Sequence, residues 1–443
     1  MNTVQSIRRP PEGFLETLLT GLPPLQTSPL PWINALQAEA VNRLDVLSLP
    51  TRSDEEWRLT NISPMTKLSF APAPSATYLE SADIAHFDIE EATTRLVFVD
   101  GIYAPQLSIA AANSGLVASE LSTALATHAE SIETHLGRHA AFRDNVFAAL
   151  NTASLGDAAV VVVSRNMALA APVHLLFIAT QKEVVSSPRC LVIAESGSSA
   201  TVIEDYVVLN QPSGQEEAHF TNAVTEIALE DNARVNHVRI QREGSKAFHI
   251  ANCTASVGRS SRYQSVSVAL GAQISRYNLN MLLAEGAECA NDGLALIAAN
   301  QLADTHTCID HTQPHGTSRQ LHKCIIGDSA HAVFNGRIVV RQGAQRTDSV
   351  QSSRNLLLTD KAQVDTKPQL EIVADDVKCA HGATIGQLDN EEVFYLQSRG
   401  LSHSEARDLL TYAFAAEIID RIPVASLKYK LEQSASAQTR SHS

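Results

Sequence analysis

The sequence predicts a mainly β protein whose strands stack as a solenoid between helical end regions. Three observations point there. From residue 158 to about 386, apolar and β-branched runs follow one another without a long helical interruption, most of them short and separated by small or polar turns. A small-residue pair precedes or opens many of these runs: Ser199-Ala200, Asn232-Ala233, Gly271-Ala272, Gly286-Ala287, Ser329-Ala330, Gly343-Ala344, Lys361-Ala362 and Gly382-Ala383. From Ala272 onward the spacings are 15, 43, 14, 18 and 21 residues, ragged but close to multiples of a short unit. Such a repeat suits a β-solenoid, where each coil buries its inner face only by stacking on its neighbours. Aromatic content of 5% fits narrow strands in layers better than a large aromatic-lined pocket. A β-sandwich, whose turns also recur, is the alternative.

In chain order, residues 1–90 read as helical and loosely punctuated, with prolines at 10, 11, 23, 24, 29 and 31 and a helix-like stretch over 32–47. A Pro- and Ala-rich connector over 70–76 reads as flexible or extended. Arg95-Leu-Val-Phe-Val-Asp-Gly-Ile-Tyr-Ala-Pro105 reads as a strand followed by an Asp-Gly hairpin turn. Residues 117–150 return to helical spacing through Leu136, Ala140, Phe147 and Leu150. The expected division is a mixed helical region over 1–155, the solenoid over 156–390 and a C-terminal helical region over 391–443. In the last, Ser402-His-Ser-Glu405 is a capping box, after which Ala406, Leu410, Ala413, Phe414 and Ile418 form one stripe until Pro423. The Ser-rich residues 434–443 read as a disordered tail.

Charge and cysteine usage exclude several function classes. A formal net charge of -14 argues against nonspecific nucleic-acid binding, which needs a basic footprint. Apolar runs such as 158–163 are too short to span a bilayer. The N-terminal residues 1–11 carry two arginines with no apolar segment behind them, so neither a signal peptide nor a twin-arginine signal is expected. The six cysteines, at 190, 253, 289, 308, 324 and 379, have no close pair; reduced thiols and a cytoplasmic location are the expectation. There is no P-loop, dinucleotide fingerprint or nucleophile elbow, so no nucleotide is expected to bind this chain.

Cys379 and His381 stand two residues apart in Asp375-Asp-Val-Lys-Cys-Ala-His-Gly382. If Leu370, Ile372, Val373 and Val377 mark a strand, its period of two puts both on one face. Thiolate plus imidazole suits zinc, iron or an iron–sulfur cluster but fills only half of a four-ligand set. The other reading makes Cys379 a small buried hydrophobe and His381 a satisfied turn residue. Asp375 and Asp376 are adjacent, cannot act as a pair on a strand, and read as turn or interface residues. A second histidine-rich stretch holds His306, Cys308, His311, His315, His322 and His331. Pro314 disfavours a helical pair of ligands at 311 and 315, and hydrogen-bonded ladders on the outside of a coil are the favoured reading over an autonomous zinc site.

Several ordered segments carry more than spacing. Asn335-Gly-Arg-Ile-Val-Val340, Ala344-Gln-Arg-Thr-Asp348, Gln351-Ser-Ser-Arg-Asn-Leu-Leu-Leu358, Thr366-Lys-Pro-Gln-Leu-Glu-Ile372, the stretch Asp375 to Thr384 and Phe394-Tyr-Leu-Gln-Ser-Arg-Gly400 resemble the SufB/SufD family of iron–sulfur cluster assembly proteins. Glu55-Glu-Trp-Arg58, Phe98-Val-Asp-Gly101, Ala149-Leu-Asn-Thr152 and Ser318-Arg-Gln-Leu-His-Lys323 agree, so the resemblance covers most of the chain. Of the family's two types, the Cys-x-His-Gly pattern resembles the SufD type.

The resemblance implies a right-handed parallel β-helix flanked by helical regions. It implies a non-enzymatic scaffold subunit of the SUF assembly complex, pairing with a SufB-like paralogue through the β-helix and docking a SufC-like ATPase through the C-terminal helices. It places His381, and Cys379 near it, at the subunit interface, holding transient iron or a nascent iron–sulfur cluster with ligands of the partner. A homodimer in isolation stays open. A carbohydrate-active β-helix enzyme is the alternative from another class, weakened by the scarcity of aromatic platforms for sugar rings.

Overall fold

The computed structural model describes residues 13–20, 30–110, 115–209 and 217–441. The prolines at 10, 11, 23, 24 and 29, the whole N-terminal stretch 1–11 read for export signals and the last two residues lie outside these. Among the described residues, the strands form two sheets of eleven and ten strands. From Arg189 onward, nearly all successive strands alternate between the sheets, and each pairs in parallel with the next strand of its own sheet. One sheet runs Phe248–Val257, Ile274–Leu283, Leu302–His311, His331–Val340 and Gln363–Ile372. The other runs Arg262–Ala269, Glu288–Ile297, Thr317–Ile326, Asp348–Leu357 and Lys378–Gly386. This is the parallel β-solenoid expected, with helices at both ends.

Phe248 pairs with Ile274, 26 positions on, and His331 with Gln363, 32 positions on. The shorter spacings read from the sequence are therefore half-coils, since each coil has a strand in either sheet. The small-residue pairs mark its corners: Ala233, Ala272, Ala287, Ala330 and Ala344 are each 0% exposed. There the chain turns inward and leaves space for a methyl group only. Ser199-Ala200, which opens the strand Ser199–Val208, and Gly382-Ala383, within the strand Lys378–Gly386, are exceptions that do not lie at a corner.

Most solenoid strands have nine or ten residues, longer than the apolar runs suggest. In Arg234–Arg242, Val238 and Ile240 pack under the C-terminal helices while His237 and Arg239 point into the lumen and are equally buried. Polar lumen residues break the apolar run, not the strand.

The lumen core is built from Val161, Val192, Ala251, Cys253, Tyr277, Leu279 and Met281, among others. The helix Pro31–Leu44, which takes proline at its first position, lays Ala40 and Leu44 over one sheet's outer face. There Phe70 and Phe147 meet Phe220 and Phe248. Phe70, in the connector, is 1% exposed, and Ala71–Pro72 pairs with Val184–Ser186, so this segment is extended and anchored. Burying such a ring contributes about 1.5–3 kcal/mol.

The Asp-Gly hairpin is present: Thr94–Val99 and Ile102–Tyr103 are antiparallel, and Asp100 and Gly101 take φ of 52° and 86°, the left-handed pair a two-residue hairpin turn requires. Thr94–Val99 also pairs with Val173–Ala179, so strands of the first 155 residues continue the solenoid's sheets.

At the other end, Ser402 Oγ accepts from the Glu405 amide (3.2 Å) and the Glu405 carboxylate from the Ser402 amide (2.7 Å), forming the expected capping box. The helix His403–Ile419 buries Ala406, Thr411, Ala415, Ile418 and Ile419, with Phe414 partly buried and Ala413 exposed. The stripe is thus rotated from the one read in the sequence, and the surface it covers is the solenoid's own second sheet. Helix Ala425–Ser441 continues through most of the stretch expected as a disordered tail, because Leu431 and Ala435 find a place in the same core.

Candidate functional site

A solenoid carries each lumen position as a column of register partners. One column runs His237, Ser265, Asn291, Gln320, Gln351, His381, and its neighbour runs Val235, Tyr263, Cys289, Ser318, Ser349, Cys379. Deep in the stack the polar members are buried, and His237 is bonded through both ring nitrogens. His237 lies 3.0 Å from Glu204 through Nε2 and 2.8 Å from the Tyr263 hydroxyl through Nδ1. Burial alone would raise the Glu204 carboxyl, but His237, Tyr206 and Arg239 hold it below the ordinary range. Glu243 collects His249 (2.6 Å), Thr221 (2.6 Å), Gln241 (3.0 Å) and His219 (3.3 Å), and these partners overcome burial to hold it well below that range.

The columns end at Cys379 and His381. Both lie on Lys378–Gly386, the last strand of its sheet, which among the described residues pairs only with Asp348–Leu357. The apolar residues Leu370 and Ile372 belong to the preceding strand, Gln363–Ile372, and Asp375 and Asp376 to the turn between the two. The shared face follows from the two-residue spacing within Lys378–Gly386. Ser349 and Gln351, one coil below, are buried, whereas every residue of Lys378–Gly386 but the half-buried Cys379 is exposed. Cys379 packs against the lumen core, and burial pushes its thiol above the ordinary value. His381 stands over the open mouth of the solenoid.

Among the described residues, no three His, Cys, Asp or Glu side chains converge so as to hold a metal ion. Cys379 and His381 therefore present two donors of suitable chemistry on an uncovered face, enough for part of a coordination sphere.

The second histidine stretch is dispersed by the fold. His306 is on the outer face, 2.9 Å from Asp304 and 3.1 Å from Glu56. His331 bonds Asp365 at 2.7 Å. His315 sits in a turn at φ 64°. His311 and His322, expected on the outside, are instead buried in the lumen, where burial drives them down to about 4 and about 3. His311 bonds Ser318 (2.9 Å) and His322 stacks on Phe334.

Cys308 borders a cleft of about 630 Å³ between the Glu55–Trp57 turn and the outer face of the first sheet. Arg276 spans its floor, 3.9 Å from the Trp57 ring and 2.5 Å from Asp304, with the backbone carbonyl of Glu56 at 2.8 Å. All six cysteines are free thiols, with 190, 253, 289 and 324 buried. Sequence reasoning missed the lumen columns, because their successive members lie 26 to 31 positions apart and only strand register aligns them.

On the helical end, Asn390–Ser398 leaves Phe394 72% and Tyr395 57% exposed, with Leu409 of the next helix exposed as well. No helix among the described residues is long and apolar enough to cross a membrane.

Comparison with known proteins gives the architecture a context. The family described as SUF system FeS cluster assembly, SufBD core domain, matches residues 177–414, and the SufBD protein N-terminal region matches residues 23–175. An iron–sulfur cluster assembly SufBD family protein of Synechocystis is 41% identical over 408 residues, 90% of each chain. The iron–sulfur cluster assembly protein SufD of Escherichia coli is 33% identical over 428 residues, 93% of this chain and 97% of that one. Its Bacillus subtilis namesake is 26% identical over 409 residues, 90% and 92% of the two chains.

Proposed function

The chain belongs to the SufBD family of SUF iron–sulfur cluster assembly proteins, and we propose that within that system it is a SufD-type scaffold subunit whose open last coil is completed by a SufB-type partner. One observation carries this reading: the lumen columns, enclosed in every coil below, end uncovered at Cys379 and His381. Gln363–Ile372 and Lys378–Gly386 each end a sheet, so each offers a free edge to a further strand. A second β-solenoid meeting this edge would bury it and bring its own donors to the two waiting here.

Iron or the nascent cluster is the cargo of such a junction. The imidazole of His381 supplies a nitrogen donor, and the Cys379 thiol releases its proton on binding iron, which makes loading proton-linked. A site divided between subunits can be emptied by separating them, which suits transient assembly.

The solvent-facing Phe394, Tyr395 and Leu409 form the apolar surface we assign to an ATPase partner of the SufC type, in place of the stripe that the solenoid covers. Phe394→Asp is expected to cut co-purification of that ATPase at least tenfold without lowering thermal stability; full recovery of the ATPase rejects the surface.

The central test is His381→Ala in the co-expressed complex under anaerobic conditions. Cluster absorbance should be lost while the subunits still co-purify. An undiminished cluster yield overturns the assignment.

A further inference from the structure

Gln351 is the register partner of His381 one coil below and is 1% exposed. Its amide is oriented from beneath. Gln320 Nε2 donates to Thr307 Oγ1 at 2.9 Å, which leaves Gln320 Oε1 to accept from Gln351 Nε2 at 2.7 Å. Gln351 Oε1 is then a buried acceptor with no partner among the described residues. Such an atom costs about 1–3 kcal/mol unless something donates to it. Parallel neighbours stand about 4.8 Å apart, and the side chains of a register pair leave the sheet on the same face.

A third observation concerns the space beside this amide. Gly336, on the facing sheet, has no side chain; a Cβ there would lie 2.8 Å from Gln351 Cδ and 2.7 Å from Phe334 Cζ, with the amide nitrogen closer still. A glycine at this point leaves the Gln351 amide room to hold its orientation.

We propose that Gln351 is a positioning residue for His381: on turning inward, the exposed His381 ring, which makes no hydrogen bond to that oxygen in this structure, gives the N–H of one ring nitrogen to the free Oε1, fixing one tautomer and leaving the other nitrogen bare and outward as a metal donor. The proposal rests on the reading of His381 as an iron-holding residue. A carbonyl oxygen can only accept, so it selects the protonated nitrogen on its own side. Ligand histidines in metal sites are held in this way through their second nitrogen, and removing such a support costs about 10–100-fold in metal affinity.

The test uses the full chain with isotope-labelled histidine, the His381 signals being identified by their loss in His381→Ala. In the unaltered protein the ring carbon and nitrogen shifts should report one tautomer. Gln351→Leu should give a mixture, and so should Gly336→Ala, which displaces the amide while keeping Gln351. In the co-expressed complex, Gln351→Leu should weaken ferrous iron binding about 10–100-fold. A single unchanged tautomer in both variants overturns the positioning role. Iron binding that is unaffected by His381→Ala overturns the underlying reading instead, whatever the tautomer does.

Discussion

Two Cys/His pairs at the same two-residue spacing meet opposite fates in this molecule. His306 and Cys308 project from the outer face of a middle coil, where His306 is clamped between Asp304 and Glu56 and Cys308 lies against Arg337. Cys379 and His381 lie on the lumen-side face of the last coil, with no coil beyond to enclose them. In the first pair His306 ties the Glu55–Trp57 turn to the solenoid, and the second pair is left available. Spacing specifies that two side chains share a face; their place in the stack decides whether that face is occupied.

The largest expected effect lies at the clamp. Arg276→Ala strands the buried Asp304 carboxylate, which Arg276 and His306, against the penalty of burial, now hold down at about 2. Loss of one partner of a buried pair should lower the unfolding free energy by about 3–5 kcal/mol, measured by urea denaturation. Lys378→Ala on the exposed last strand should change it by no more than about 0.5 kcal/mol. Equal losses at the two positions would erase the distinction between enclosed and open coils.

A smaller effect depends on pH. Burial lowers the His306 imidazole, but the charge of Asp304 and the hydrogen bonds to Asp304 and Glu56 outweigh it, so its folded value lies above the ordinary one, and the neighbouring Arg276 does not reverse this. A raised cation stabilises fully below the unfolded value of about 6.5 and loses that contribution as pH rises through the folded value. Amide exchange at residues 55–57, corrected for intrinsic rate, should therefore speed up roughly fivefold, about 1 kcal/mol, on passing from acid to alkaline pH. Exchange that slows instead would reverse the sign of the linkage.

The smallest expected effect sharpens the contrast. His306→Ala should leave the cluster yield of the co-expressed complex unchanged while abolishing that pH dependence. A cluster lost in this variant would move the functional pair from the last coil to the outer face.

Local chemistry made much of the architecture legible. The Asp100-Gly101 turn, the capping box at Ser402 and the corner alanines each need a particular residue where the chain bends or begins a helix, so each could be read from its neighbours alone. Strand length was less legible, because His237, Arg239 and Gln241 interrupt the apolar pattern although the lumen buries them. The helix stripe misled for a related reason: period gives an apolar face only to within a rotation, and Ala413 fell on the solvent side once the helix met the sheet.

What the amino-acid order determined by itself was a stack of strands with helical ends, and a thiol and an imidazole on one face at positions 379 and 381. What the tertiary structure alone decided was that these two close a lumen column at an open end, that Gln351 lies beneath them, and that the histidines from 306 to 331 are scattered. The physical reason is that neighbours across a solenoid sit about thirty residues apart in the chain and under 5 Å apart in space; sequence distance carries the first separation, and only strand register supplies the second.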